Sequence, residues 1–217
     1  MTKEELKSKI EMQFSFGEMQ MKNTGGLIPM FSVVFTLPDV SKKQEFNFVL
    51  AGGKIMENRD EFVYLLGGIF AYVNHFSLIK SVECVTMLSE AWTSFVSKEN
   101  YDADNWVMPS KDLNRQEVLF CCGKTPENIT YLKAKQIVRP IEDSKKFSLV
   151  DYKIQESEDE KNAKYALLDT FYAGFKFGTE DLHGMSKEFA KKETADVVIQ
   201  RLVTKAINSL GSKLIAI

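Results

Sequence analysis

The spacing of apolar residues changes several times along the chain, and each change marks an element. From Leu27 to Leu37 the spacing is two. Phe31, Val33, Phe35 and Leu37 share one side, and Ile28, Met30 and Val34 the other. Pro29 falls at the start of this strand, where its missing N–H does least harm. Lys43 to Leu50 alternates again, with Phe46, Phe48 and Leu50 together. The connection through Pro38-Asp39 is short, so the two strands form an antiparallel hairpin. The period then becomes helical. Phe62, Leu65, Leu66, Ile69, Val73 and Phe76 recur at i, i+3, i+4 and i+7, which predicts a long helix starting at Asn58 or Arg59. Gly67-Gly68 in its middle costs about 1 kcal/mol each relative to alanine. Close approach of this helix to the sheet would offset that cost.

Two further apolar segments, Val82 to Trp92 and Gln116 to Cys122, are rich in residues that fit a strand buried on both faces. They predict neighbouring central strands joined by a long polar excursion. Thr125-Pro126-Glu127-Asn128 is a turn, Ile129 to Arg139 a further strand, and Phe147 to Gln155 the last. In that last strand Val150, Tyr152 and Ile154 alternate with polar neighbours, and Lys145-Lys146 suits a sheet edge. At the start of the chain, Thr2 and Glu5 form a capping box for a helix with an apolar stripe of Leu6 and Ile10. That helix is expected to end before Gly17, with irregular chain from Met19 to Gly26. Beyond the acidic stretch 156–160 the pattern is helical. It is broken at 172–184, where Gly174, Gly178 and Gly184 fall among aromatics, and resumes at Thr194 until Gly211. The apolar tail, Leu214 to Ile217, is expected to be docked.

The fold class is therefore α+β. A mixed, mostly antiparallel sheet of five to six strands carries one long packed helix. Residues 1–155 form the core domain, and 156–217 a helical extension packed on it or on a partner.

Composition narrows the classes of function. A net charge of −2, with Lys and Arg interleaved among acidic residues, gives no basic tract, so nucleic acid is not favoured. No apolar run reaches the roughly 18 residues of a membrane span, and the charged N-terminus is not a signal peptide. The expected setting is the cytoplasm, or a virion if the gene is phage-borne. The 3 cysteines, Cys84, Cys121 and Cys122, all fall in central strands, as small buried apolar groups in a reducing compartment. Sixteen phenylalanines and nine methionines point to a bulky core or to apolar surface kept for a partner.

No cofactor or metal is expected. His75 and His183 have no ligand motif around them, and Asp102 with Asp104 lacks the glycine and glutamate of a calcium loop. Gly52-Gly53-Lys54 lacks the rest of a phosphate loop. One charged group stands out. Glu90 ends the first central strand beside Trp92, and Arg115 and Glu117 open the second. A carboxylate beside a guanidinium makes a bidentate clasp. The same residues, with Glu90 raised in pKa by burial, would serve a small hydrolase-like enzyme as acid or base. The clasp is the plainer reading. It leaves Tyr101, Trp106 and Met108, on the excursion between the central strands, as the expected partner-binding residues of a protein that binds a protein partner or itself.

Pro29-Met30-Phe31, Ser89-Glu90-Ala91-Trp92 and Arg115-Gln116-Glu117-Val118-Leu119 occur in this order. Over Leu27 to Pro140 the chain resembles a loosely defined family of small uncharacterised α/β proteins of bacteria and their phages or plasmids. The resemblance implies a compact mixed sheet with one long helix and an origin on a mobile element. It implies no activity.

Overall fold

A computed structural model describes residues 1–38, 40–50, 55, 57–93, 115–140, 146–151, 165–177 and 194–213. Helix α1 (Lys3–Thr24) begins with the expected capping box: the Thr2 hydroxyl accepts from the Glu5 N–H at 3.2 Å, and the Glu5 carboxylate from the Thr2 N–H at 2.8 Å. It does not stop before Gly17. It runs on to Thr24 and is closed by Gly25, whose left-handed φ of 78° lets its N–H donate to the Met21 carbonyl. Gly17 serves a different purpose. A Cβ there would lie 2.9 Å from a Leu88 methyl group, so glycine lets α1 settle onto the sheet.

Strands β1 (Met30–Leu37) and β2 (Val40–Val49) form the expected hairpin, and α2 (Arg59–His75) follows. Strands β3 (Ser81–Thr93), β4 (Gln116–Lys124), β5 (Thr130–Val138) and β6 (Ser148–Asp151) complete one sheet in the order β2-β1-β3-β4-β5-β6. Every described pairing is antiparallel, so the sheet is not mixed. The fold is α+β, with β3 and β4 at its centre. In β6 it is Leu149 that packs inward, while Val150 is 48% exposed, which reverses the expected apolar side of that strand. Tyr152 and Ile154 lie outside the described residues.

Helices α3 (Ala166–Phe177) and α4 (Ala195–Lys213) close the chain's described part. The stretch expected to break at Tyr172 stays helical to Phe177, because Phe171 and Phe175 are anchored against their neighbours. Nor does Gly211 end α4, which continues to Lys213.

Strand alternation divides the apolar residues into two cores. On one face Phe31, Val33, Phe35 and Phe48 meet α2, α3 and α4 through Phe62, Phe70, Phe171, Val198 and Leu202. On the other, α1 is the one described helix, and it covers Val34, Cys84, Leu88, Leu119 and Cys121 with Leu6, Ile10, Phe14 and Met21. Cys121 and Cys122 thus point into different cores, as adjacent strand residues must. The α2 glycine does mark a close approach, but to α3 rather than to the sheet. A Cβ on Gly67 would lie 2.0 Å from the Phe171 carbonyl oxygen, and one on Gly174 1.9 Å from that of Tyr64. The two helices cross backbone against backbone.

Candidate functional site

Strand register determines which charged residues meet. Glu90 lies opposite Leu119, and Glu117 opposite Trp92 on β3 and Ile137 on β5. Paired residues share a face, and diagonal neighbours two positions on remain within reach. Glu90, Glu117 and Arg139 therefore step diagonally across three adjacent strands on the α1 face. Arg139 grips Glu117 with two bonds: Nε donates to Oε2 at 2.8 Å and Nη2 to Oε1 at 3.0 Å. Its Nη2 is also 3.7 Å from Glu90 Oε2, and Nη1 reaches the Gly25 carbonyl at 3.5 Å. The guanidinium lies 5.7 Å from the centre of the Phe147 ring. Glu90 Oε1 accepts from the Leu27 N–H at 2.6 Å, which ties the connection between α1 and β1 to the middle of the sheet.

The expected pairing of Glu90 with Arg115 is corrected by this geometry. From Leu119, opposite Glu90, to Arg115 is four strand residues, about 14 Å. The Arg115 guanidinium sits 4.4 Å from the centre of the Trp92 ring instead. Glu90 and Glu117 do come together, and the arginine that joins them is Arg139. A signal for Arg139 was present in the chain. The predicted turn at Thr125 to Asn128 fixes the β4–β5 register, with Lys124 opposite Thr130 and Glu117 opposite Ile137. Continuing that register brings Arg139 diagonally next to Glu117.

Burial raises the pKa of Glu90, and the negative charge of Glu117 adds to the rise. The Leu27 N–H and Arg139 oppose it without prevailing. Arg139 is held protonated, first by its hydrogen bonds to Glu117. Chemically the cluster is a carboxyl group slow to ionise beside a carboxylate already committed to a guanidinium. With side chains only 15 to 25% exposed, it links three strands and a loop.

The buried thiols are of a different kind. Desolvation pushes Cys84 and Cys122 up to about 12 and raises Cys121 as well, which keeps all three protonated and poor nucleophiles. His75 packs edge-on against Phe76. Among the described residues no group of three or more His, Cys, Asp or Glu side chains is placed to hold a metal ion. No described helix is long and apolar enough to cross a membrane. Tyr101, Trp106 and Met108, with His183, Asp102, Asp104 and Gly52 to Lys54, lie outside the described residues.

A feature that the spacing of α1 did not suggest lies on its outer side. Met12, Phe16 and Met19 are 60, 48 and 52% exposed. At i, i+4 and i+7 they form one ridge, opposite the buried stripe.

No protein-family model, curated protein or solved structure matches the chain.

Proposed function

We propose that this is a non-catalytic binding or structural protein that acts through protein–protein contacts. The α1 ridge is the observation that carries this reading. Soluble surfaces carry single apolar side chains freely, but an aligned set on one rigid helix forms a contact surface. The helix is held firmly for this purpose, with Leu6, Ile10, Phe14 and Met21 fully buried beneath it. The commitment of Glu117 to Arg139 and of Glu90 to the Leu27 N–H supports a structural role for the charged cluster. A phage- or plasmid-borne gene is the setting that the motif resemblance suggests.

The test is the pair of substitutions Met12→Glu and Phe16→Glu. Met12 is largely and Phe16 half exposed, so the unfolding free energy should change by no more than about 0.5 kcal/mol, as for surface changes. Association with a partner, or between copies, should be lost. Unchanged association in both variants refutes the ridge.

One observation favours a second reading, a small hydrolase-like enzyme using Glu90 and Glu117. Glu90, its pKa raised by burial and by neighbouring Glu117, and 3.7 Å from Arg139, is suited to act as a general acid. A hydrolytic activity abolished by Glu90→Gln at unchanged melting temperature would establish it.

A further inference from the structure

Strand β2 ends the sheet on one side and β6 on the other. Strand β6 covers four described residues, whereas β2 has ten. Among the described residues no strand lies beyond β2, so along its length one set of backbone groups has no ladder partner. Such an edge is a template for another strand unless charge or a bulge blocks it. Strand β2 is irregular against β1 between Val40 and Lys43, and from Lys43 on it runs in regular register and carries charge in an order that selects a partner. Lys43, Glu45 and Asn47 alternate along the α1 face.

We infer that the outer edge of β2 joins two copies of this chain, antiparallel about a twofold axis at Gln44, to make one continuous sheet. A twofold contact is isologous, so each strand must complement itself. With the axis at Gln44, Lys43 lies opposite Glu45 of the second copy, and Glu45 opposite its Lys43. Moving the axis one residue either way sets Lys43 against Lys43 or Glu45 against Glu45. Opposite charges directly across strands stabilise and like charges repel. One register is therefore selected over its immediate neighbours.

Contacts from α1 extend the complementarity. Glu5 Oε1 accepts from Lys43 Nζ at 2.9 Å, and Lys9 pairs with Glu45. Across the junction the signs run Glu5, Lys43, Glu45 of the second copy, then its Lys9, alternating throughout. The helix itself packs on β3, β4 and β5, and among the described residues Glu5, Lys9 and Gln13 are the side chains of α1 seen bonded to β2. Among the described residues no strand therefore competes with an approaching one at this edge.

This inference concerns a different surface from the α1 ridge, and either can fail alone. The axis places Gln44 directly opposite its own copy, with Cβ atoms about 5 Å apart. Gln44→Cys should therefore give a disulfide-linked dimer on mild oxidation of the folded protein, since the three native thiols are buried. Asn47→Cys, about 20 Å from its counterpart in the same register, should not. Lys43→Glu should raise the dimer dissociation constant roughly tenfold or more, read by sedimentation equilibrium, because two attractive pairs become repulsive. A wild-type protein that sediments as a monomer at high micromolar concentration overturns the inference. So does a dimer that Gln44→Cys fails to link. If that dimer is dissolved by Met12→Glu but not by Lys43→Glu, the copies meet through α1, and the protein-contact reading stands without the β2 contact.

Discussion

The two faces of the sheet are held by different physics. On the three-helix face the contacts are aromatic. Phe171 lies 5.8 Å from Phe31 and 5.9 Å from Phe70, and Phe35 meets Phe70 at 5.7 Å. There large rings and the glycine crossing of α2 with α3 determine how the layers fit. On the α1 face a polar seam runs through the apolar contacts. Gln13, 5% exposed, donates to the Ser32 hydroxyl at 3.2 Å and to Glu45 at 2.9 Å, while the Cys121 thiol donates to its carbonyl oxygen at 3.7 Å. Ion pairs of Lys9 with Glu45, Lys43 with Glu5 and Lys135 with Glu18 flank it. Packing of α2 against both α3 and α4 positions the helices of the first face, and the Tyr172 hydroxyl, donating to the Lys124 carbonyl at 2.9 Å, and the Lys124–Asp169 ion pair only pin α3 to the end of β4. A single helix lying on a sheet could still slide or rotate, and directional bonds remove that freedom.

The largest effect that separates the faces is expected from Gly174→Ala. Its Cβ would overlap the Tyr64 carbonyl, which cannot move without α2, so the loss should be about 3 kcal/mol of unfolding free energy in urea titration. A loss below about 0.5 kcal/mol would show that the crossing has slack. Next comes Gln13→Ala, which takes the acceptor from the buried Cys121 thiol and one partner from the Ser32 hydroxyl, which still donates to Asn47 at 2.6 Å. A cost of about 2 kcal/mol is expected, and little change would mean that the apolar stripe alone orients α1.

The smallest effect concerns Glu90. Its folded-state pKa lies above its unfolded value, so the folded state holds the proton more firmly. That contribution to stability is fully present below the unfolded pKa and is lost as pH rises through the folded one. Glu90→Gln keeps an acceptor for the Leu27 N–H and removes the cost of ionisation. At pH 7 the variant should melt at the wild-type temperature or slightly above it, with any advantage vanishing towards pH 4. A clear loss at pH 7 would mean that ionised Glu90 contributes more to the clasp through Arg139 than burial takes away.

Much of the fold was legible because period reports burial directly. The alternation of Phe31, Val33 and Phe35 and the helical spacing of Phe62, Leu66 and Ile69 each placed a residue set in the right layer. The errors came from glycine. Gly17 and Gly211 read as stops and Gly174 as a break, yet each lies within a helix. A glycine that ends a helix and one that lets a neighbour approach look alike until the neighbour is known. At the charged cluster, proximity in sequence favoured Arg115, whereas cross-strand register brought in Arg139, which is distant in sequence. The ridge of Met12, Phe16 and Met19 went unread because the inner stripe of α1 already accounted for its helical period.

The strand order also bears on how the chain folds. Strands β3 to β6 follow one another in both sequence and space, and β1 pairs with β2 through a tight turn. Chain-closure entropy is therefore concentrated at two junctions: β1 with β3, which must enclose the hairpin and α2, and β3 with β4, which must close the long excursion. Local hairpins can form early at little cost, and the two long closures set the pace. A shorter excursion between β3 and β4 would lower that closure cost and speed folding.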